Sequence, residues 1–225
     1  VDWAEVNSSK SASKSYKAID WANVSISSDV AADLDFSKVN FSKLNLDNLD
    51  INDLDFTKLG KNYKKLKWDK VDYSALDSDS ISDIDWTKVN FKKATKSETF
   101  DLDVVDWTEL NASKAATKSY KAIDWANVSI SSDVAADLDF SKVNFSKLNL
   151  DNLDINDLDF TKLGKNYKKL KWDKVDYSAL DSDSISDIDW TKVDLKKAVK
   201  SNTFELDVVD WAEVNSSKSA SKSYK

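Results

Sequence analysis

The chain repeats itself at a spacing of 104 residues: residues 14 to 89 recur without change as 118 to 193, and ten positions differ between the two complete copies. The differences are mild, as in Ala4 against Thr108, Val6 against Leu110, Phe91 against Leu195 and Asp101 against Glu205. A tandem period of this kind predicts supersecondary units stacked on their neighbours, in place of a single globular fold. It divides the chain into repeat 1 (1–104), repeat 2 (105–208) and the start of repeat 3 (209–225), which copies residues 1–17. The chain therefore reads as a window on a longer array, continuous and without independent globular domains.

Inside each repeat a finer period runs. From Leu34 to Leu59 the apolar residues fall at 34, 36, 39, 41, 44, 46, 49, 51, 54, 56 and 59, alternating steps of two and three. At 100° per residue such a pattern scatters around a helix, and simple strand alternation would change faces every five residues. A chain that turns a corner every five residues satisfies it, because each short piece then points residues i and i+2 at a common axis.

Written in fives, the run is LDFSK, VNFSK, LNLDN, LDIND and LDFTK. It resembles the pentapeptide-repeat family: Asp35, Asn40, Asn45, Asp50 and Asp55 take the polar second position, and Phe36, Phe41, Leu46, Ile51 and Phe56 the central one. The first position departs from the family, with Leu or Val where Ala is favoured. The resemblance implies an all-β fold, a right-handed β-solenoid (β-helix), of the kind found in long tandem-repeat bacterial surface or secreted proteins.

The spacing of large aromatics sets the coil length. Val1-Asp-Trp3, Trp21, Phe41, Trp68, Trp86 and Trp107 are separated by 18, 20, 27, 18 and 21 residues, which together make one repeat. Five coils per 104-residue repeat follow, with short loop or helical insertions, and an advance of about 24 Å per repeat if coils are spaced as β-strands are. Leu34, Phe36, Val39, Phe41, Leu44, Leu46, Leu49, Ile51, Leu54, Phe56 and their copies 104 residues on are expected to point inward. The six aromatics are expected to form a ladder along the axis. Residues 7–17 read as a loop, a short helix or an outward-facing coil, and residues 59–66 as one or two helical turns after Gly60.

Composition removes whole classes of chemistry. The chain has no His, Cys, Met, Pro, Arg or Gln, and two Gly. It thus lacks the ligands of zinc, haem and iron–sulfur sites, the thiol or Ser–His nucleophiles, and any Gly-rich phosphate loop. A net charge of −7 and the absence of Arg argue against nucleic-acid binding. No apolar run reaches the length of a membrane-spanning helix.

The candidate sites are few. Asp77, Asp79, Asp83 and Asp85, with copies Asp181, Asp183, Asp187 and Asp189, are the calcium candidates, since calcium takes six to eight hard oxygen ligands; the alternative is that they are solvent-facing turn residues. Ser11 and Lys14 have the spacing of a Ser–Lys nucleophile pair, but so many Ser and Lys produce it by chance. Glu5, Glu109 and Glu213 are equivalent candidates for the buried acid that an intramolecular cross-link from Lys to Asn or Asp would need. No cofactor is expected, calcium aside.

The reading is a non-enzymatic structural repeat protein, secreted or on a cell surface, forming a fibre, stalk, sheath or adhesin shaft. Its expected partner is itself, end to end or side by side. The alternative is an acidic β-solenoid binding module that mimics duplex DNA to inhibit a DNA-handling enzyme.

Overall fold

A computed structural model describes residues 1–45, 49–148 and 153–217. It comprises two compact units, Val1–Ile123 and Asp124–Lys225. The first holds α1 (Trp3–Ser8), α2 (Ala12–Ala18), α3 (Ser28–Asp33), α4 (Ser78–Ser82), α5 (Phe91–Ala94), α6 (Trp107–Ala112) and α7 (Ala116–Ala122). The second holds α8 (Ser132–Asp137), α9 (Ser182–Ser186), α10 (Leu195–Ala198) and α11 (Trp211–Ser216). Short 3-10 helices fill the intervals, as at Ile51–Asp53, Phe56–Lys58, Gly60–Lys65 and Trp68–Lys70, and again one repeat later.

Among the described residues there is no strand. The expected all-β, right-handed β-solenoid is therefore not formed, and the likeness to a pentapeptide-repeat β-coil fails with it. The physical reason lies in the second residue of each five. Asp55 is extended (φ −73°, ψ 103°), and its side chain accepts the Thr57 N–H, which turns the following residues into a 3-10 helix. The Lys58 N–H then reaches the Asp55 carbonyl at 3.1 Å, and the Leu59 N–H the Phe56 carbonyl at 3.3 Å. Asp50 and Asp72 act alike, accepting from the Asn52 and Ser74 amides. Each unit of five thus spends three residues in a turn and keeps too few extended ones in sequence to pair as a strand.

The inward set survives this change of secondary structure. Leu34, Phe36, Val39, Phe41, Leu44, Leu49, Ile51, Leu54 and Phe56 are all buried, as are their described copies from Leu138 to Phe160. Leu46 and its copy Leu150 lie outside the described residues. The two–three alternation is met because a 3-10 turn and its flanking extended residue return positions one and three to the same side.

Coils are joined by side chains that bond the backbone of the next pass. The Tyr16 hydroxyl accepts the Asp35 N–H at 2.7 Å. Asn52 donates to the Asp72 carbonyl at 2.6 Å and accepts the Asp72 N–H at 3.0 Å. The Tyr73 N–H reaches the Thr99 hydroxyl at 2.9 Å. These separations of 19, 20 and 26 residues depart from the aromatic steps: the 26-residue bond from Tyr73 to Thr99 spans a stretch where Trp68 and Trp86 gave a step of 18, so the five aromatic-marked coils are not reproduced.

The aromatics pack as local clusters instead of one ladder: Trp3 with Tyr16 and Tyr16 with Trp21, Phe56 and Tyr63 with Trp68, Trp86 with Phe91, Trp107 with Tyr120. Trp21, Phe41, Trp68, Trp86 and Trp107 are buried, whereas Trp3 is half-buried. Residues 7–17 end α1 and form most of α2, and Gly60–Lys65 is a 3-10 helix, the helical turns expected after the glycine.

Candidate functional site

The acidic residues are first of all structural. In LDFTK, the Thr57 N–H donates to Asp55 Oδ1 at 3.0 Å, its hydroxyl donates to the same oxygen, and the Lys58 ammonium reaches Asp55 Oδ2 at 2.8 Å. Asp35 with Ser37 and Lys38, and Asp85 with Thr87 and Lys88, repeat the arrangement, as do Asp139, Asp159 and Asp189 one repeat on. Burial alone would raise the Asp55 and Asp85 carboxyls, but hydrogen bonds from Lys58 and Thr57, and from Lys88 and Thr87, hold both below the usual carboxylate range. Where Asp is followed by Ser or Thr and then Lys at the fourth and fifth places, the five-residue motif is therefore one closed clamp of capping carboxylate, hydroxyl and ammonium between apolar residues.

The calcium candidates are dispersed among such duties. Asp77 caps α4 by accepting the Ser80 N–H at 2.8 Å; Asp83 closes the same helix; Asp85 belongs to the clamp with Thr87 and Lys88; Asp79 stands exposed in the first turn of α4. In the second unit Asp181 caps α9, Asp183 is in its first turn, Asp187 closes it and Asp189 pairs with Lys192. Among the described residues no group of three or more acidic side chains is placed to hold a metal ion. Ser11 and Lys14 are both exposed, with the Ser11 hydroxyl 3.2 Å from that of Ser9. Glu5 is exposed, and Glu213 accepts the Trp190 N–H at 3.1 Å.

Among the described residues, two kinds of charged groove are found. One is acidic and occurs in both units. In the first unit Asp83, Asp85, Asp103, Asp106 and Glu109 rim a volume of about 700 Å³ above Trp86. In the second unit Asp187, Asp189, Asp207, Asp210 and Glu213 rim about 670 Å³ above Trp190. No lysine lines either groove. Burial, with the nearby Asp85 charge, raises the Glu109 carboxyl above the ordinary range. Asp106 and Glu109 are there because D-x-x-E starts α6, where the Asp106 side chain accepts the Glu109 N–H at 2.8 Å.

The other groove is basic. In the second unit Lys165, Lys168, Lys192 and Lys196 surround about 870 Å³, with Tyr167, Val193 and Leu195 in its wall and Asp194 as its sole carboxylate. Lys192 lies 5.6 Å from the Tyr167 ring centre, and Lys88 lies 5.7 Å from that of Tyr63 in the first unit, close enough for cation–π attraction. Burial pushes the Tyr63 and Tyr167 hydroxyls up to about 12, so both rings stay neutral beneath their lysines.

The sequence hid two parts of this architecture. Asn62 and Asn166 sit in a lysine-rich stretch, yet are fully buried, each Nδ2 bonding the carbonyl of a residue 26 positions earlier at 2.6 Å. The tryptophan N–H groups reach back five residues, from Trp21 to Tyr16, Trp68 to Tyr63 and Trp107 to Leu102. A recurrent five-residue interval before each Trp was the available signal. No family model, no curated protein and no solved structure matches the chain.

Proposed function

We propose that the chain is a non-enzymatic structural array, secreted or on a cell surface, that serves as the body of a fibre, stalk, sheath or adhesin shaft and propagates end to end. The observation that carries this is the seam between repeats. Within the first unit, residues on either side of the boundary between 104 and 105 are joined as coils inside a repeat are: Glu109 accepts the Trp86 N–H, and α5 packs against α7. The next seam has the same bond, from the Trp190 N–H to Glu213. A further repeat thus adds no new kind of contact, which is the property an extensible array needs. The duplex-mimicking alternative rested on a regular β-coil to space its carboxylates, and no such coil forms.

Electron microscopy of proteins with one, two and four repeats tests the proposal. Particle length should grow in proportion to repeat number, and fibres should carry an axial periodicity tied to the repeat. Compact particles whose length does not increase with repeat number would overturn it.

A further inference from the structure

We infer that the basic groove is a docking site for the acidic groove of a second copy of this chain, so that arrays associate side by side through opposite charge. The inference rests on the reading of the chain as a self-associating array. It starts from the signs of the two surfaces. The basic groove gathers four lysines and one aspartate, Lys192 being already paired with Asp189, while each acidic groove is lined by five carboxylates, of which Asp85 and Asp189 are paired with Lys88 and Lys192. The apolar residues beneath the two grooves, Tyr167 and Leu195 in one and Ile84, Trp86 and Val105 in the other, are already buried, so the contact is carried by charge.

The net charge of −7 makes copies of the chain repel one another on average, and the basic groove is a local exception among the described residues. A groove of one sign meeting a different groove of the opposite sign is a heterologous contact, which leaves an acidic groove and a basic groove free on each pair for further partners. The groove lysines recur 104 residues earlier as Lys61, Lys64, Lys88 and Lys92.

The test uses the full chain and two charge-reversed variants. One carries Lys61→Glu, Lys64→Glu, Lys165→Glu and Lys168→Glu. The other carries Asp83→Lys, Asp103→Lys, Asp187→Lys and Asp207→Lys, which spares the capping carboxylates Asp77, Asp106, Asp181 and Asp210. Sedimentation should show wild-type self-association at low salt, weakened at least about tenfold at ~0.5 M NaCl, where screening is short-ranged. Each variant alone should lose that association, and an equimolar mixture of the two should regain it, because each supplies the groove the other lacks. Carbodiimide coupling of mixed nitrogen-14 and nitrogen-15 chains should give hybrid peptides joining the Lys61–Lys64 or Lys165–Lys168 segment to Asp103–Glu109 or Asp207–Glu213.

If charge reversal unfolds either variant, Lys→Gln and Asp→Asn at the same positions should still weaken association and suppress the hybrid peptides. Salt-independent association, no recovery on mixing, or coupling only within one isotope would overturn the inference. So would a wild-type chain that stays monomeric while its lysine groove binds inorganic polyphosphate. Single unbundled fibres from the wild type would defeat side-by-side docking and leave end-to-end propagation standing; hybrid peptides from chains that never lengthen would do the reverse.

Discussion

Trp68 donates its indole N–H to the carbonyl of Tyr63 at 2.8 Å, and the two rings stack with centres 5.7 Å apart. One residue thus anchors the five-residue interval twice, by a buried hydrogen bond and by ring packing, and Trp172 does the same to Tyr167. Trp68→Ala should cost about 3–5 kcal/mol, as truncation of a large core residue does. Trp68→Phe, which keeps an aromatic ring and loses the donor, should cost about 1–3 kcal/mol, because the Tyr63 carbonyl then keeps only the long 3.4 Å bond from the Leu66 N–H. Urea unfolding of both variants checks this, and equal losses would show that the bond contributes nothing.

Gly60 has φ +51°, and a Cβ there would lie 2.7 Å from the Ser37 Cβ, a residue one coil earlier. Gly60→Ala should therefore destabilise by about 1–3 kcal/mol, combining left-handed strain with a clash. Pairing it with Ser37→Gly removes the clash and keeps the strain. The double variant should recover part of the loss, and a thermal-melt double-mutant cycle measures that coupling.

Asn62 is fully buried, and its Nδ2 donates to the Phe36 and Val39 carbonyls at 2.6 and 3.2 Å. Asn62→Asp puts acceptors against those carbonyls and a charge in the interior at neutral pH. It should cost about 3 kcal/mol or more, and more than Asn62→Ala. Circular dichroism melts of the two variants at pH 7 give the comparison.

Stability should fall in acid. The Asp55, Asp85, Asp159 and Asp189 carboxyls are held below the ordinary 3.8 in the folded chain, so the stability they contribute is present above that value and is lost as pH falls through their folded values. Replacing all four by Asn should lower stability at pH 7 and flatten its fall below about pH 4. Glu109 has the opposite sign: its raised carboxyl costs stability above pH 4.5, so Glu109→Gln should be neutral or mildly stabilising at pH 7. Melting temperatures between pH 2 and pH 7 decide both points.

The sequence alone determined the repeat, the five-residue grammar and the burial of the described members of the set from Leu34 to Phe56, because burial follows the spacing of apolar residues whichever backbone carries them. The secondary structure was written there too, in the carboxylate before each central residue, but it read as a solvent-facing position of a β-coil. Its competition for the amide two residues on makes Asp55 a cap and Phe56–Lys58 a 3-10 turn. Tertiary structure decided what no spacing discloses. It buried Asn62 beneath the coil of Phe36, made Gly60 the point of closest approach to Ser37, and sorted the remaining charges into grooves of opposite sign. Such outcomes depend on which distant coils become neighbours, and residues 20 or more apart interact only once the chain has wound back on itself.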